Sequence, residues 1–288
     1  MNMFSGSLVW YRWLLWALLL MFAAWFLAPL YVMLVTSLKD AEQIRSGHLL
    51  SLPTAPTLLA WQQAWSSACT GVECQGLQPY FWNSVLMVVP AVLFSTLLGA
   101  IHGYVLTKWT FRGSETLFAL MLFGVFMPMQ VVLLPMSQVL GWLGIASSVW
   151  GLMAVHIIAG IPSTTLFFRN YYLGVPQELI KAAQLDGAGL WQIFWRIIWP
   201  LWTPILVVTL IWQFTSIWND FLYGVVFSGA DSKPVTVGLN NLANTTSSVK
   251  AYNVDMAAAL IAALPTLVVY VVAGKYFVRG LTAGAVKG

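Results

Sequence analysis

The sequence predicts an all-α integral membrane protein whose chain crosses the bilayer about six times, and three observations predict it. Only 8% of the 288 residues are charged while 60% are hydrophobic. Six stretches are long and apolar enough to span lipid. The basic residues gather in alternate spacers between those stretches. A soluble domain carries roughly 25% charged residues because water must wet its surface, so this composition excludes one.

A spanning helix needs about 20 mostly apolar residues, since lipid offers backbone polar groups no partner. Stretches of that kind lie at 13–35, 82–106, 116–140, 149–168, 199–221 and 256–276, so residues 1–288 read as a single transmembrane domain. The first is too long for the apolar core of a cleavable leader and lacks an A-x-A site, so it reads as a retained helix. The second carries Ser95, Gly99 and Gly103 at four-residue spacing, a stripe that lets helices approach closely. Packing within this chain is its first reading and a subunit contact its second. In the third, Pro128 and Pro135 interrupt the backbone hydrogen bonds and predict kinks. A polar insert, 169–196, separates the fourth from the fifth, and a Ser/Thr/Asn-rich outer loop, 229–255, precedes the sixth.

Sidedness follows from charge. If the termini, the 108–115 spacer and the 169–196 insert are cytoplasmic, that side holds Arg12, Lys108, Arg112, Arg169, Lys181, Arg196, Lys275, Arg279 and Lys287, nine of the thirteen basic residues. Positive residues favour the cytoplasmic side, so both termini are expected there. The same scatter at span ends explains the formal charge of +4 without a nucleic-acid partner. Cys69 and Cys74 lie close together in a polar stretch, either bridged on an oxidising side of the membrane or as two thiols in a loop.

The insert holds the densest local signals. Pro176 suits a helix start and Glu178 the positive end of the helix dipole. Leu179, Ala182, Ala183 and Leu185 give a short helix a small apolar side, and Asp186-Gly187 ends it, glycine favouring the left-handed closing turn. Leu190, Ile193, Phe194 and Ile197 restart a helical stripe towards Pro200. A short helix with a small apolar face at the membrane surface is shaped for a groove in another protein. A helix lying on lipid would favour larger apolar residues and more lysine.

Chemistry is not evident elsewhere. The chain has no G-x-x-x-x-G-K-[ST] loop, G-x-S-x-G elbow or H-E-x-x-H pair. No catalytic residue, metal site or cofactor is therefore expected. His102 and His156 lie inside spans and, without an evident acidic partner, read as packing residues. An ion-coupled secondary transporter, the alternative reading, would predict paired intramembrane charges and inverted repeats, and neither is evident.

In the insert, Lys181-Ala182-Ala183, three residues, Gly187, nine residues and Ile197-Ile198-Trp199-Pro200 resemble the Glu-Ala-Ala…Gly…Ile-x-Leu-Pro signature of permease subunits of binding-protein-dependent ABC importers. Lys181 stands for the family's glutamate and Trp199 for its leucine, with Glu178 one turn earlier. Asp186-Gly187-Ala188 is similar to the sugar-importing branch, and Trp218-Asn219-Asp220-Phe221 to the Trp-Asn-Asp/Glu-Phe element of maltose-type permeases. The tail from Gly280 through Gly284 and Lys287 to Gly288 is similar to the same carbohydrate-uptake group, and 218–242 is similar to glucose/mannose-type systems.

The resemblance implies a type I importer permease in a bacterial cytoplasmic (inner) membrane. It implies a second homologous permease, two ATPase subunits and an extracytoplasmic sugar-binding protein as partners. Glu178, Lys181, Ala182, Ala183, Asp186, Gly187, Ile197 and Pro200 would then form the coupling element that meets the ATPase. Trp218, Asn219, Asp220, Asn240 and Asn241 would serve the pathway or its outer loop, where Asn244, Thr245 and Thr246 also offer hydrogen bonds.

Overall fold

The computed structural model describes residues 5–245 and 250–285, with side chains from 10 to 274 outside that gap. Among the described residues every regular element is helical. In chain order they are α1 (Ser5–Ser37), α2 (Ala41–Ser46), α3 (Leu59–Ser66), α4 (Gln78–Lys108), α5 (Ser114–Phe126), α6 (Met129–Trp142) and α7 (Val149–Leu173). Next come α8 (Gln177–Leu185), α9 (Leu190–Ile193), a π-turn (Phe194–Ile198), α10 (Trp199–Leu201), α11 (Thr203–Trp218), α12 (Leu222–Phe227), a 3-10 turn (Ala230–Ser232), α13 (Val235–Asn244) and α14 (Tyr252–Ala285).

Length and composition qualify Trp10–Ser37 of α1, all of α4, all of α7 and Tyr252–Gly274 of α14 as membrane spans. Two bent pairs raise the number to six if each is one span: α5 with α6, bent by 105°, and Leu190–Leu201 with α11, bent by 81°. The stretches at 116–140 and 199–221 are thus broken rather than kinked. At the first break Met127 is extended, because a residue before proline is driven out of the helical region. At the second, Trp202 separates α10 from α11 between Pro200 and Pro204, and neither proline can donate to a helix. The backbone widens into the π-turn just before Pro200, whose ring would otherwise crowd the carbonyl four residues earlier.

The chain divides into two compact units, Met1–Leu77 with Asn241–Ile261, and Gln78–Asn240 with Ala262–Gly288. In the first, the stretch between α1 and α4 contains α2 and α3. Asp40 caps α2 by accepting from the Gln43 N–H at 2.8 Å. That bond favours the ionised form and holds the carboxyl below its ordinary pKa. Lys39 is buried, and its Nζ donates to the His48 carbonyl at 3.2 Å and to Ser51 Oγ at 3.1 Å. Cys69 and Cys74 are disulfide-bonded, which resolves the alternatives left open by the sequence. The bridged turn is tied by Gly71 N–H donating to Thr245 Oγ1 at 3.0 Å.

In the second unit α4 and α7 lie side by side. A Cβ on Gly99 would stand 2.8 Å from the backbone carbon of Thr164, and one on Gly103 would stand 2.8 Å from the Arg169 nitrogen. The Ser95-Gly99-Gly103 stripe therefore serves packing within this chain. One apolar cluster gathers Met87, Val88, Leu152, Val155, Ile217 and Trp218, and a second gathers Ala100, Tyr104, Phe168, Tyr172, Ile180 and Phe194.

Candidate functional site

Two places in the second unit combine shape with chemistry. The first is a cavity of about 430 Å³ beside the α5–α6 break, walled by α7, the end of α11 and α12. Met127, Met129 and Met136 supply an adaptable apolar side, and Ser163, Gln213, Ser216, His156 and Asp220 supply polar groups. Gln213 is 3% exposed and fits only because residue 160 is glycine: a Cβ there would fall 1.9 Å from Gln213 Nε2. His156 is 5% exposed, and among the described residues its Nε2 has no hydrogen-bond partner. It lies 3.7 Å from Asp220 Oδ2, beyond hydrogen-bond reach. Histidine 156 is therefore not without an acidic neighbour, as the sequence reading had it. The partner sits 64 residues away, and folding brings the two together.

Asp220 is positioned by backbone. Its Oδ2 accepts from Gly224 N–H at 3.2 Å, at the start of α12, and Thr236 Oγ1 donates to its carbonyl at 2.6 Å. Trp218 does not line the cavity. It is 2% exposed, its Nε1 donates to the Ala262 carbonyl at 2.9 Å, and its ring stacks on Phe214. Asn219 caps α11 and is exposed. Asn240 is exposed on α13 in the second unit, while Asn241 belongs to the first. The outer loop is thus partly helical. Thr246 lies outside the described residues, as do Lys287 and Gly288, while Gly284 falls within α14.

The second place is the insert. Pro176 precedes α8, and Asp186 follows it. Gly187 closes the helix at φ +82°, its N–H donating to the Gln184 carbonyl at 3.0 Å. Ile180 is fully buried in the second apolar cluster and seats the helix. Glu178, Leu179, Lys181, Ala182 and Leu185 face outward, Leu185 at 90% exposure, while Ala183 packs partly inward. The side available to a partner is therefore Leu179, Ala182 and Leu185 with two charges, rather than all the small residues the sequence grouped together. Ile197 packs partly against the same cluster, and Pro200 is exposed at the start of α10.

Sequence reasoning missed Gln213, whose burial depends on a glycine on another helix, and Lys108, whose partner is distant in the chain. Only the glycine within an apolar span hinted at the first. Among the described residues, no three His, Cys, Asp or Glu side chains gather around a common point suited to a metal ion.

Residues 80–279 match the family model described as "Binding-protein-dependent transport system inner membrane component". The chain is 41% identical over 278 residues to a probable ABC transporter permease protein of Pyrococcus horikoshii, covering 96% of this chain and 98% of the relative. It is 32% identical to the xylose/arabinose import permease protein XacI of Haloferax volcanii, over 93% and 91% of the two chains. Its fold matches a chain from the crystal structure of a bacterial ABC transporter involved in the import of the acidic polysaccharide alginate. There the TM-score is 0.81 at 22% identity, over 96% of this chain and all of the other.

Proposed function

The chain belongs to the family of binding-protein-dependent transport system inner membrane components, the permeases of ABC importers, and from that premise we propose that it carries a sugar. It pairs with a second homologous permease, stands on two ATPase subunits and receives its cargo from an extracytoplasmic sugar-binding protein. Both termini and the insert face the cytoplasm in this reading, as the distribution of basic residues favours. The sugar assignment is supported by the xylose/arabinose permease among the relatives and by a cavity that mixes hydroxyl, amide and imidazole groups with methionines.

One observation carries the coupling role. The insert holds a short helix seated by Ile180, with Leu179, Lys181 and Leu185 turned outward and a left-handed glycine fixing its end. A rigid exposed helix of that size fits a groove in the ATPase. Closure of the ATPase would move the insert, and the insert would move the spans. The cargo would pass the cavity, where a hydroxyl can give His156 Nε2 the partner it lacks and Gln213 can donate or accept.

The test is to purify the chain gently from its native membrane and to reconstitute what accompanies it. An ATPase and a second permease should co-purify, and sugar uptake should require both ATP and the binding protein. A chain that moves solute in liposomes alone, without ATP, overturns the reading.

A further inference from the structure

We propose that α4 is a strut clamped at both ends, linking the coupling insert to the outer segment that precedes α13, with Lys108 as the positioning residue of its inner clamp. The proposal rests on the import reading above. Lys108 is the last residue of α4 and only 8% exposed. A buried ammonium is costly unless satisfied, and Lys108 Nζ donates to the Val175 carbonyl at 2.5 Å. That carbonyl lies just past the end of α7, where unpaired carbonyls favour a cation, and one residue before the Pro176 that opens α8.

One turn earlier on α4, Tyr104 is fully buried, and its hydroxyl donates to the Leu190 carbonyl at 3.3 Å. Residues 104 and 108 share one helix face. That face therefore grips the chain on both sides of α8, at 175 and at 190, while Ile180 seats the helix between them. None of these ties is local: Lys108 reaches 67 residues along the chain and Tyr104 reaches 86.

The other end of α4 is clamped in the same manner. Asn83 Nδ2 donates to the Asp231 carbonyl at 2.8 Å, and Ser84 Oγ accepts from the Val235 N–H at 2.8 Å. From Ser84 to Lys108 an α-helix rises about 36 Å, enough to cross the hydrocarbon core. One element thus ties the segment on which a binding protein would act to the segment on which an ATPase would act. Two sites that bias a single element are coupled in both directions.

The experiment uses the whole transporter in proteoliposomes. It reads the stimulation of ATP hydrolysis by sugar-loaded binding protein, the sugar moved per ATP, and the amount of ATPase subunit retained. Lys108→Met should keep the ATPase subunits yet lose about fivefold or more of the stimulation, the smallest effect expected of a genuine coupling contact. Lys108→Arg, which keeps a donor, should restore most of it. Asn83→Ala, at the far clamp, should cause the same loss from the other side. Full stimulation in Lys108→Met overturns the proposal. If Lys108→Met sheds the ATPase, full stimulation in Asn83→Ala overturns it, and lost stimulation there supports it. Absence of ATP-dependent uptake in the unaltered transporter would instead sink the import reading, before any variant is compared.

Discussion

Substituting alanine for Gly160 tests whether the cavity is organised by Gln213. The added Cβ would lie 1.9 Å from Gln213 Nε2, 2.9 Å from its Cδ and 3.1 Å from Ser95 Cβ. Ordinary contact begins near 3.4 Å, so the amide must move by about 1.5 Å. Overpacking of this kind costs about 1–3 kcal/mol, while alanine in a helix interior gains roughly 1 kcal/mol over glycine. The two nearly cancel, so stability of the single variant says little. A cycle with Gln213→Ala separates them. With the amide gone, Gly160→Ala should become neutral or raise the midpoint of thermal unfolding in detergent, a coupling of about 1–3 kcal/mol. Uptake should fall in Gly160→Ala, fall similarly in Gln213→Ala, and fall no further in the double variant. Additive losses of stability, or a further drop in uptake in the double variant, would refute the idea that Gly160 acts by making room for Gln213.

A Cβ on Gly187 would meet no atom within 4 Å, so the cost expected for Gly187→Val is the backbone strain of an L-residue at φ +82°, about 1–2 kcal/mol. Membrane insertion should survive, and either assembly with the ATPase or ATP-driven uptake should be lost. Normal uptake would exclude the insert as the coupling element. Opening the Cys69–Cys74 bridge, which spans five positions, should destabilise the first unit by roughly 2 kcal/mol on loop-closure grounds. Amide exchange at 68–77 in Cys69→Ser/Cys74→Ser reads that effect, and unchanged protection would remove the bridge from any structural role. Asp40 has a folded pKa below its ordinary value because it accepts from Gln43. The α2 cap it forms is therefore present above the unfolded pKa and lost as pH falls through the folded one. Protection of 41–46 should stay constant from neutral pH down to about 5 and fray at any pH in Asp40→Ala, whereas fraying between pH 7 and 5 would contradict the assignment.

The membrane architecture was legible because lipid imposes a length and composition that few other environments demand. The ends of the insert were legible because Pro176 and Gly187 carry backbone constraints of their own. The breaks at Met127 and Trp202 were less so, since apolar residues continue through both and hydropathy registers composition, not direction. The helices in the outer loop were hidden by its polar composition, although α13 buries Val235, Val237 and Leu242.

The candidate site was the least legible part, for a physical reason. A buried polar group is satisfied by whatever the fold brings to it, and the sequence does not display that distance. Asp220 was visible as a lone charge near a span end, but its neighbour His156 and the glutamine that depends on Gly160 come from other helices. Lys108 read as one more positive residue on the inner side. Burial and a hydrogen bond direct its charge inward, onto the Val175 carbonyl that precedes the insert, rather than towards water or lipid headgroups. Lys108 and Tyr104 look ordinary in their sequence context because the contacts that hold them are made 67 and 86 residues along the chain.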